Sequence, residues 1–303
     1  MIDLHVKLPG LDLKNPVMGA SGCVGYGREI NEFYPLEILG GLSVKSVSKL
    51  ERKGNPTPRI AETPSGMLNA IGLANKGVEY VKAHEMPFLE NIDTCVLVNV
   101  AGSTEQDYVD VIEALNDEAA VDAFELNISC PNVRHGGMAL GTDPKLIEEI
   151  TKMCVTAAKK PVYVKLSPNV TDVVACAKAA EAGGAAGLVL INTLMGLRID
   201  LKTGRPLLAN NTGGLSGPAI KPVALRMVWQ TAQAVHIPII GCGGISSAED
   251  VLEFLYAGAS AVQVGCANFS DPYIMKKIVE ELPAVLEKYG HKSVAETTGR
   301  SFS

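Results

Sequence analysis

The sequence predicts an α/β fold, a closed (β/α)₈ TIM barrel with a short N-terminal hairpin and long insertions at its C-terminal face. Short apolar segments alternate with longer amphipathic segments, which is the pattern of repeated βα units. The apolar segments are rich in β-branched residues on both faces, as in parallel strands that helices cover. With 303 residues, 47% of them hydrophobic, the chain is long enough to form one barrel domain over residues 1–303.

The elements follow in order from an opening hairpin, Val6 to Leu8 and Leu11 to Leu13, across the Pro9-Gly10 turn. Eight barrel strands are then predicted: Pro16 to Gly19, Gly41 to Val47, Cys95 to Val100, Ala123 to Ile128, Val162 to Leu166, Gly187 to Ile191, Ile237 to Gly241 and Ala261 to Val264. Helices are predicted over Asp107 to Leu115, Pro144 to Ala158, Asp172 to Ala182, Pro218 to Ala234 and Ser247 to Tyr256. An open, doubly wound sheet is the alternative, because most of these strands fit it as well.

Composition excludes several classes of function. The net charge is -6, and acidic and basic residues are interspersed along the chain, so no basic surface is predicted for nucleic acid or an anionic membrane. The N-terminal residues lack a signal-peptide core, and no apolar segment approaches the roughly 18 residues of a membrane span. We therefore expect a cytoplasmic protein.

Cysteine spacing argues against a disulfide framework, a structural zinc or an iron-sulfur cluster on this chain. The number of cysteines is odd and no two of them form a Cys-x-x-Cys pair. The seven are Cys23, Cys95, Cys130, Cys154, Cys176, Cys242 and Cys266. They are expected to be reduced thiols.

Two long connections follow predicted strands, Ser48 to Gly77 after the second and Asn192 to Pro218 after the sixth. Both contain glycine and proline, and the first includes the apolar segment Met67 to Leu73. Insertions at the C-terminal ends of barrel strands commonly build active sites. We expect these two segments to do so.

Polar side chains recur at the C-terminal ends of six predicted strands, where a barrel directs them into one mouth. A single one would be an ordinary hydrogen-bonded residue at a strand end, but six in the same position predict a site. The residues are Ser21, Lys45, Ser46, Asn99, Asn127, Lys165 and Asn192.

The last two strands run into glycine-containing turns, Gly241 to Ser246 and Val264 to Asn268. Glycine lets backbone N–H groups approach an anion closely, and many barrels bind phosphate after strands seven and eight. Two tight βα turns without a ligand are the alternative. The pattern favours a phosphorylated ligand or cofactor.

Lys165 lies on an apolar strand, so its charge needs a partner within the mouth. The residues leave three uses open: a Schiff base, a phosphate contact, or stabilisation of negative charge on a reduced flavin. Cys130 follows the fourth strand in a polar turn near Gly136 and Gly137, and its thiol is a candidate for proton abstraction. His135 is interpreted as a loop residue.

The chain resembles the dihydroorotate dehydrogenases over nearly its whole length, specifically the class 1B, NAD-linked catalytic subunits. No single motif is specific, but together they are. They are Val44-Lys45-Ser46-Val47, Gly54-Asn55-Pro56-Thr57-Pro58-Arg59, Gly66 to Leu73, Asn127-Ile128-Ser129-Cys130-Pro131-Asn132 and Ile191-Asn192-Thr193.

The resemblance implies oxidation of dihydroorotate to orotate in pyrimidine biosynthesis, with Cys130 taking the C5 proton and FMN taking hydride from C6. FMN would contact Ser21, Lys45, Ser46, Asn99, Asn127, Lys165, Ile191 and Gly217, with its phosphate on Gly243, Gly244, Gly265 and Cys266. Dihydroorotate would contact Lys45, Asn69, Ala70, Ile71, Gly72, Leu73, Asn127, Asn132, Asn192 and Thr193. A planar carboxylated amide does call for several asparagines and one cation.

The subclass implies a partner. Class 1B enzymes pass electrons to NAD⁺ through a subunit that carries FAD and a [2Fe-2S] cluster, and a homodimer core binds two such subunits as a heterotetramer. The cysteine base distinguishes this chain from the quinone-linked class 2 enzymes, and Ala70-Ile71 from the fumarate-linked class 1A enzymes, which usually have Ser-Met. Cys266 departs from the expected threonine, with little consequence if the backbone N–H binds phosphate.

The alternatives are a fumarate-linked class 1A enzyme, a dihydropyrimidine dehydrogenase-like FMN reductase, a flavin-free phosphate-binding barrel with Lys165 as a Schiff base, and a non-catalytic metabolite-binding barrel. Turnover of dihydroorotate against dihydrouracil separates a dihydroorotate dehydrogenase from the dihydropyrimidine dehydrogenase-like reductase. The electron acceptor, fumarate or NAD⁺, then distinguishes the class 1A enzyme from the class 1B enzyme.

Overall fold

A computed structural model describes residues 2–129, 134–135 and 138–302, and of residues 134, 135, 138 and 139 only the backbone. The strands in chain order are β1 Val6–Leu8, β2 Leu11–Leu13, β3 Val17–Gly19, β4 Gly41–Val47, β5 Ile60–Thr63, β6 Gly66–Asn69, β7 Cys95–Val100, β8 Ala123–Asn127, β9 Arg134–His135, β10 Met138–Ala139, β11 Val162–Leu166, β12 Gly187–Leu190, β13 Leu194–Gly196, β14 Ile199–Asp200, β15 Arg205–Pro206, β16 Gly213–Ser216, β17 Ile239–Cys242 and β18 Ala261–Val264.

Eight of these strands form a closed barrel in the order β11-β12-β17-β18-β3-β4-β7-β8. Every neighbouring pair in the barrel is parallel. The predicted TIM barrel is therefore confirmed, and the open doubly wound sheet is wrong. Because the strands are parallel, all their C-terminal ends meet at one mouth.

The predicted hairpin and four of the barrel strands, β4, β7, β11 and β18, have the predicted bounds. The other four differ by one or two residues. β3 begins at Val17 and β17 at Ile239, each directly after a proline, which has no N–H to donate to the ladder. β8 and β12 each end one residue earlier than predicted, because ladder pairing stops at Asn127 and Leu190.

Helices separate successive barrel strands. In chain order they are α1 Arg28–Asn31, α2 Val78–His84, α3 Met86–Leu89, α4 Glu105–Leu115, α5 Pro144–Ala157, α6 Val173–Ala182, α7 Lys221–Ala232, α8 Ala248–Tyr256, α9 Ala267–Ser270 and α10 Ile274–Lys288. Short 3₁₀ helices lie at Leu36–Ile38, Leu140–Thr142, Pro218–Ile220, Val294–Glu296 and Arg300–Phe302.

The helix starts show why some predicted bounds shift. α4 begins two residues before the predicted Asp107, because the Thr104 side chain caps it and the Asp107 carboxylate accepts the Thr104 N–H at 3.1 Å. α6 and α8 begin one residue later than predicted, because Asp172 and Ser247 are their N-caps. The helix predicted from Pro218 is divided into a 3₁₀ turn and α7, and Pro222 lies in the first turn of α7.

The two insertions combine into a small sheet that the sequence did not predict. Strands β5 and β6 come from the first insertion, and β13 and β16 come from the second. They form one four-stranded antiparallel sheet in the order β13-β16-β6-β5. The contact between β6 and β16, in which Asn69 pairs with Gly214, joins the insertions.

The core fills the barrel and the layer between strands and helices. Tyr108, Phe124, Tyr163 and Phe254 are its largest fully buried side chains. Within the described part of the chain, no helix is both long enough and apolar enough to span a bilayer. Some of the buried polar residues lie on barrel strands, and five of these form the site: Ser46, Asn99, Glu125, Lys165 and Gln263.

Candidate active site

A chain of hydrogen bonds between buried polar residues crosses the inside of the barrel. Ser46 on β4 donates from Oγ to Oδ1 of Asn99 on β7 at 2.5 Å. Asn99 in turn donates from Nδ2 to Oε1 of Glu125 on β8 at 2.6 Å. Asn99 and Glu125 are fully buried, so each depends on these partners to satisfy its polar atoms.

Lys165 on β11 joins the same chain. Its Nζ donates to Oε1 of Gln263 on β18 at 3.0 Å and to Oε1 of Glu125 at 3.4 Å. Burial lowers the pKa of the Lys165 ammonium, but the Glu125 carboxylate acts in the opposite sense, and the pKa lies above its ordinary value. Lys165 is therefore a buried cation at neutral pH.

Asparagines continue the chain towards the barrel mouth. Asn127, at the end of β8, donates from Nδ2 to Oδ1 of Asn99 at 3.4 Å. Asn192, which follows β12, donates from Nδ2 to Oδ1 of Asn127 at 3.2 Å, and its own Oδ1 accepts the Thr193 N–H at 2.8 Å. Five residues predicted from separate strands, Ser46, Asn99, Asn127, Lys165 and Asn192, thus lie within one hydrogen-bonded group.

The predicted phosphate-binding turns lie together at the same end of the barrel. Gly243 and Gly244 have φ values of 140° and 75°. A Cβ on Gly244 would lie 2.8 Å from the carbonyl oxygen of Gly217, and one on Gly217 would lie 3.5 Å from Sγ of Cys266. Gly217, at the end of the second insertion, therefore packs closely against both the turn after β17 and the turn after β18.

Three backbone N–H groups in these turns have no acceptor within the described part of the chain. In residues 2–129 and 138–302, no acceptor receives the N–H groups of Gly243, Gly244 or Cys266. Several unpaired N–H groups near one another form a concave anion-binding surface. The arrangement fits a phosphate group.

The first insertion presents the predicted substrate segment 69–73. Asn69 ends β6 and donates from Nδ2 to the Gly214 carbonyl at 3.4 Å. Asn55 holds the segment from the other side, donating its N–H to the Ile71 carbonyl at 3.1 Å and its Nδ2 to the Ala70 carbonyl at 3.0 Å. Gly72 and Leu73 both have positive φ, so the chain turns sharply there.

The second insertion brings Thr193 next to this segment. A Cβ on Gly214 would lie 2.0 Å from Oγ1 of Thr193, and Gly214 is the strand partner of Asn69. The small sheet therefore places Asn69 and Thr193 on either side of Gly214. Because Thr193 follows Asn192, the sheet is continuous with the asparagine group at the mouth.

Ser21 and Lys45 occupy the mouth near β3 and β4. Ser21 donates from Oγ to the Val44 carbonyl at 2.8 Å. Lys45 lines a cavity of about 450 Å³ together with Tyr26, Arg52 and Tyr80. Burial lowers the pKa of Lys45. Among the described residues no hydrogen bond joins the Lys45 side chain to the hydrogen-bonded group, but Lys45 and Lys165 both interact electrostatically with Cys23.

The remaining predicted site residues either follow a barrel strand or lie outside the described residues. Ile191 follows β12 and is buried, with its N–H bonded to the Cys242 carbonyl at 2.8 Å. Gly265 follows β18, and a Cβ on it would lie 3.3 Å from Sγ of Cys23. Cys130 and Asn132 lie outside the described residues, so the proposed base and one substrate contact stay predictions.

Sequence reasoning missed two members of the site, Glu125 and Gln263. Both are fully buried, and Gln263 donates from Nε2 to Oε2 of Glu125 at 2.5 Å. A signal was present, because each is a polar residue inside an otherwise apolar strand, as Lys165 is. Cys23 and Cys242, for which the sequence predicts only reduced thiols, lie near Lys165. Burial raises the pKa of Cys23 to about 12.

Comparison with known proteins gives consistent results. The profile of a family described as "Dihydroorotate dehydrogenase" matches residues 3–286. The chain is 59% identical over 300 residues to the "Dihydroorotate dehydrogenase B (NAD(+)), catalytic subunit" of Anoxybacillus flavithermus, covering 99% of this chain and 96% of the relative. It is 58% identical over 299 residues to proteins of the same name from Geobacillus kaustophilus and Bacillus caldolyticus, with the same coverage.

Proposed function

Because the chain belongs to the dihydroorotate dehydrogenase family, we propose that it oxidises dihydroorotate to orotate in pyrimidine biosynthesis, with FMN as bound cofactor. One observation carries the proposal: polar residues from five barrel strands form one hydrogen-bonded group, Ser46-Asn99-Glu125-Lys165-Gln263. Such a group would be expensive to bury without a ligand that uses it. In the proposed reaction, FMN and the polar substrate dihydroorotate would bind at the barrel mouth, next to this group.

The chemistry of the residues fits FMN. The N–H groups of Gly243, Gly244 and Cys266, which have no acceptor among the described residues, would hold the phosphate, with Gly265 beside them. Lys165 provides a buried positive charge for the flavin ring. The remaining contacts would come from Ser21, Lys45, Ser46, Asn99, Asn127, Ile191 and Gly217. Bound FMN would supply the two-electron acceptor, which takes the hydride from substrate C6.

The protein's own residues would then bind substrate and move one proton. Asn127 and Asn192 are already oriented by each other, so their remaining N–H groups are fixed in direction before substrate arrives. Lys45 would pair with the substrate carboxylate, and the segment 69–73 with Asn132 and Thr193 would close around the ring. Cys130 Sγ would take the C5 proton as the C6–H bond breaks.

A second protein would complete the electron path. The relatives' printed name includes "NAD(+)" and "catalytic subunit". We infer that electrons pass to NAD⁺ through a separate subunit with FAD and a [2Fe-2S] cluster. The proposed assembly is a cytoplasmic heterotetramer, in which a homodimer of this FMN-binding barrel binds two electron-transfer subunits.

Anaerobic reduction of the bound flavin tests the function. Dihydroorotate should bleach the flavin absorbance of the purified protein, and dihydrouracil should not. Reoxidation should require NAD⁺ plus the electron-transfer subunit, whereas rapid reoxidation by fumarate would indicate a class 1A enzyme. A colourless protein that does not bind added FMN, or covalent trapping of substrate on Lys165 by borohydride, would contradict the proposal.

A further inference from the structure

Within the described part of the chain, Glu125 is the one acidic side chain of the hydrogen-bonded group. It lies in the middle of β8 and is fully buried. Its carboxylate accepts from three donors: Asn99 Nδ2 at 2.6 Å, Gln263 Nε2 at 2.5 Å and Lys165 Nζ at 3.4 Å. Such a residue organises its neighbours.

An ionised carboxylate can only accept hydrogen bonds, so it fixes the direction of both amides. Asn99 must turn its Nδ2 towards Glu125, which leaves Oδ1 for Ser46 and Asn127. Gln263 must likewise turn its Nε2 towards Glu125, which leaves Oε1 for Lys165. An ammonium has three N–H groups, and two of them now have acceptors. In the described residues, the third has none.

The groups that face Lys165 come from four other elements. Glu125 lies on β8, Gln263 on β18, Cys242 on β17, and Cys23 follows β3. Gln263 is neutral, and burial raises the pKa values of both Cys23 and Cys242, so these thiols stay protonated near neutral pH. Among the described residues, Glu125 is therefore the sole anion that offsets the charge of Lys165.

We propose that Glu125 is a positioning residue, which keeps Lys165 an ammonium ion and, with Gln263, leaves one of its N–H groups for bound FMN. The proposal rests on the proposed function, because it requires FMN in this mouth. Glu125 acts through Lys165 rather than on the cofactor. Its carboxylate keeps the cation charged before electrons arrive, so the charge needed in the reduced state is already in place.

Replacing Glu125 changes the number of protons that accompany reduction. In Glu125→Gln the buried ammonium has no counter-ion, so the pKa of Lys165 falls and the amine is neutral while FMN is oxidised. When reduction brings negative charge to the ring, Lys165 takes up a proton. Glu125→Gln should therefore take up about one more proton per two electrons than the wild type.

The pH dependence of the FMN reduction potential measures that number. The FMN reduction potentials of the wild type, Glu125→Gln and Asp122→Asn, each with bound FMN, are determined against redox dyes at several pH values between about 6 and 9. Asp122→Asn is the matched control: it lies just before the same strand, at the opposite end of the barrel, where its carboxylate accepts the Val96 N–H at 2.7 Å. We expect the plot of reduction potential against pH to have a steeper slope in Glu125→Gln than in the wild type, and the wild-type slope in Asp122→Asn.

Glu125→Gln/Lys165→Met tests whether the additional proton is on Lys165. Removing both charges leaves no unpaired buried ion, so this protein should fold. Its slope should equal that of the wild type. A steep slope in the double variant would overturn the proposal, and so would a wild-type slope in Glu125→Gln.

Glu125→Asp covers the case in which Glu125→Gln does not fold. It keeps the charge at a longer distance, so its slope should steepen only in the alkaline part of the range, and an unchanged slope throughout would overturn the proposal. A wild type that binds no FMN, or is not bleached by dihydroorotate, defeats the proposed function as well. A wild type that is bleached normally, with no change of slope in the Glu125 variants, defeats the present proposal alone.

Discussion

Asn192 donates from Nδ2 to Oδ1 of Asn127 at 3.2 Å, joining the loop after β12 to the end of β8 across the barrel mouth. Each amide therefore restricts the rotation of the other. Asn127 is held from its other end by Asn99, which belongs to the buried group around Glu125. The proposed substrate contacts are thus oriented from inside the barrel.

Asn192→Ala should lower kcat/KM for dihydroorotate about ten- to a hundredfold, because the variant loses one substrate contact and frees Asn127 to rotate. FMN binding should not change, because Asn192 is not a proposed cofactor contact. Steady-state kinetics and flavin content measure the two effects. Asn210→Ala, in the exposed part of the second insertion, is the control and should behave as wild type. A parallel loss of flavin would contradict the assignment.

Gly244→Ala should weaken FMN binding about tenfold or more, because its Cβ would lie 2.8 Å from the Gly217 carbonyl oxygen and 2.9 Å from the Lys221 nitrogen, which forces the phosphate turn apart. Titration of the apoprotein with FMN measures the loss. Gly204→Ala is a matched control, since Gly204 also has a positive φ, 68°, but nothing lies within 4 Å of its Cβ position. It should lose some stability and no FMN affinity. Equal FMN affinities in the two variants would rule out a phosphate site at Gly244.

Cys23 should resist alkylation in the folded protein. Burial raises its pKa from 9.0 to about 12, so at pH values below 9 the reactive thiolate is about a thousandfold scarcer than in an ordinary thiol. Labelling should accelerate as the pH rises. Iodoacetamide labelling near pH 8, followed by mass spectrometry, compares the native protein with the urea-unfolded one. Equal labelling rates in the two states would show that the thiol is not desolvated.

Cys130→Ala should reduce turnover by about two to four orders of magnitude and keep the flavin, because the proposed base is not a cofactor contact. Anaerobic flavin reduction in single turnover isolates this step from the electron-transfer subunit. Cys176→Ala, a change of a buried thiol on α6, is the control and should keep wild-type turnover. Near-normal rates in Cys130→Ala would remove the thiol from the mechanism.

The barrel could be predicted because its information is local. Each strand, such as Val162–Leu166, is a short apolar segment between turn residues, and the spacing of eight such segments determines the architecture. Strand bounds were missed where a proline removes a donor, as at Pro238 before β17. Helix starts were missed where a side chain caps the first turn, as Thr104 does for α4.

Long-range pairing could not be predicted. The small sheet depends on contacts such as that between Asn69 and Gly214, which are 145 residues apart in sequence. Glu125 and Gln263 were missed for the same reason, since the sequence of an apolar strand does not show which distant residue its polar side chain will contact. Lys165 could be assigned to the mouth from its strand position, but only the structure shows that Glu125 and Gln263 are the groups that hold it.

The pairing of β6 with both β5 and β16 limits how the two insertions can be exchanged. If either insertion were replaced by one of another length or sequence, the strand left behind would expose unpaired backbone groups beside the proposed substrate segment 69–73. A chimera intended to alter substrate preference would therefore have to transfer residues 48–77 and 192–218 together. For protein engineering, the two segments behave as one module despite the barrel strands between them.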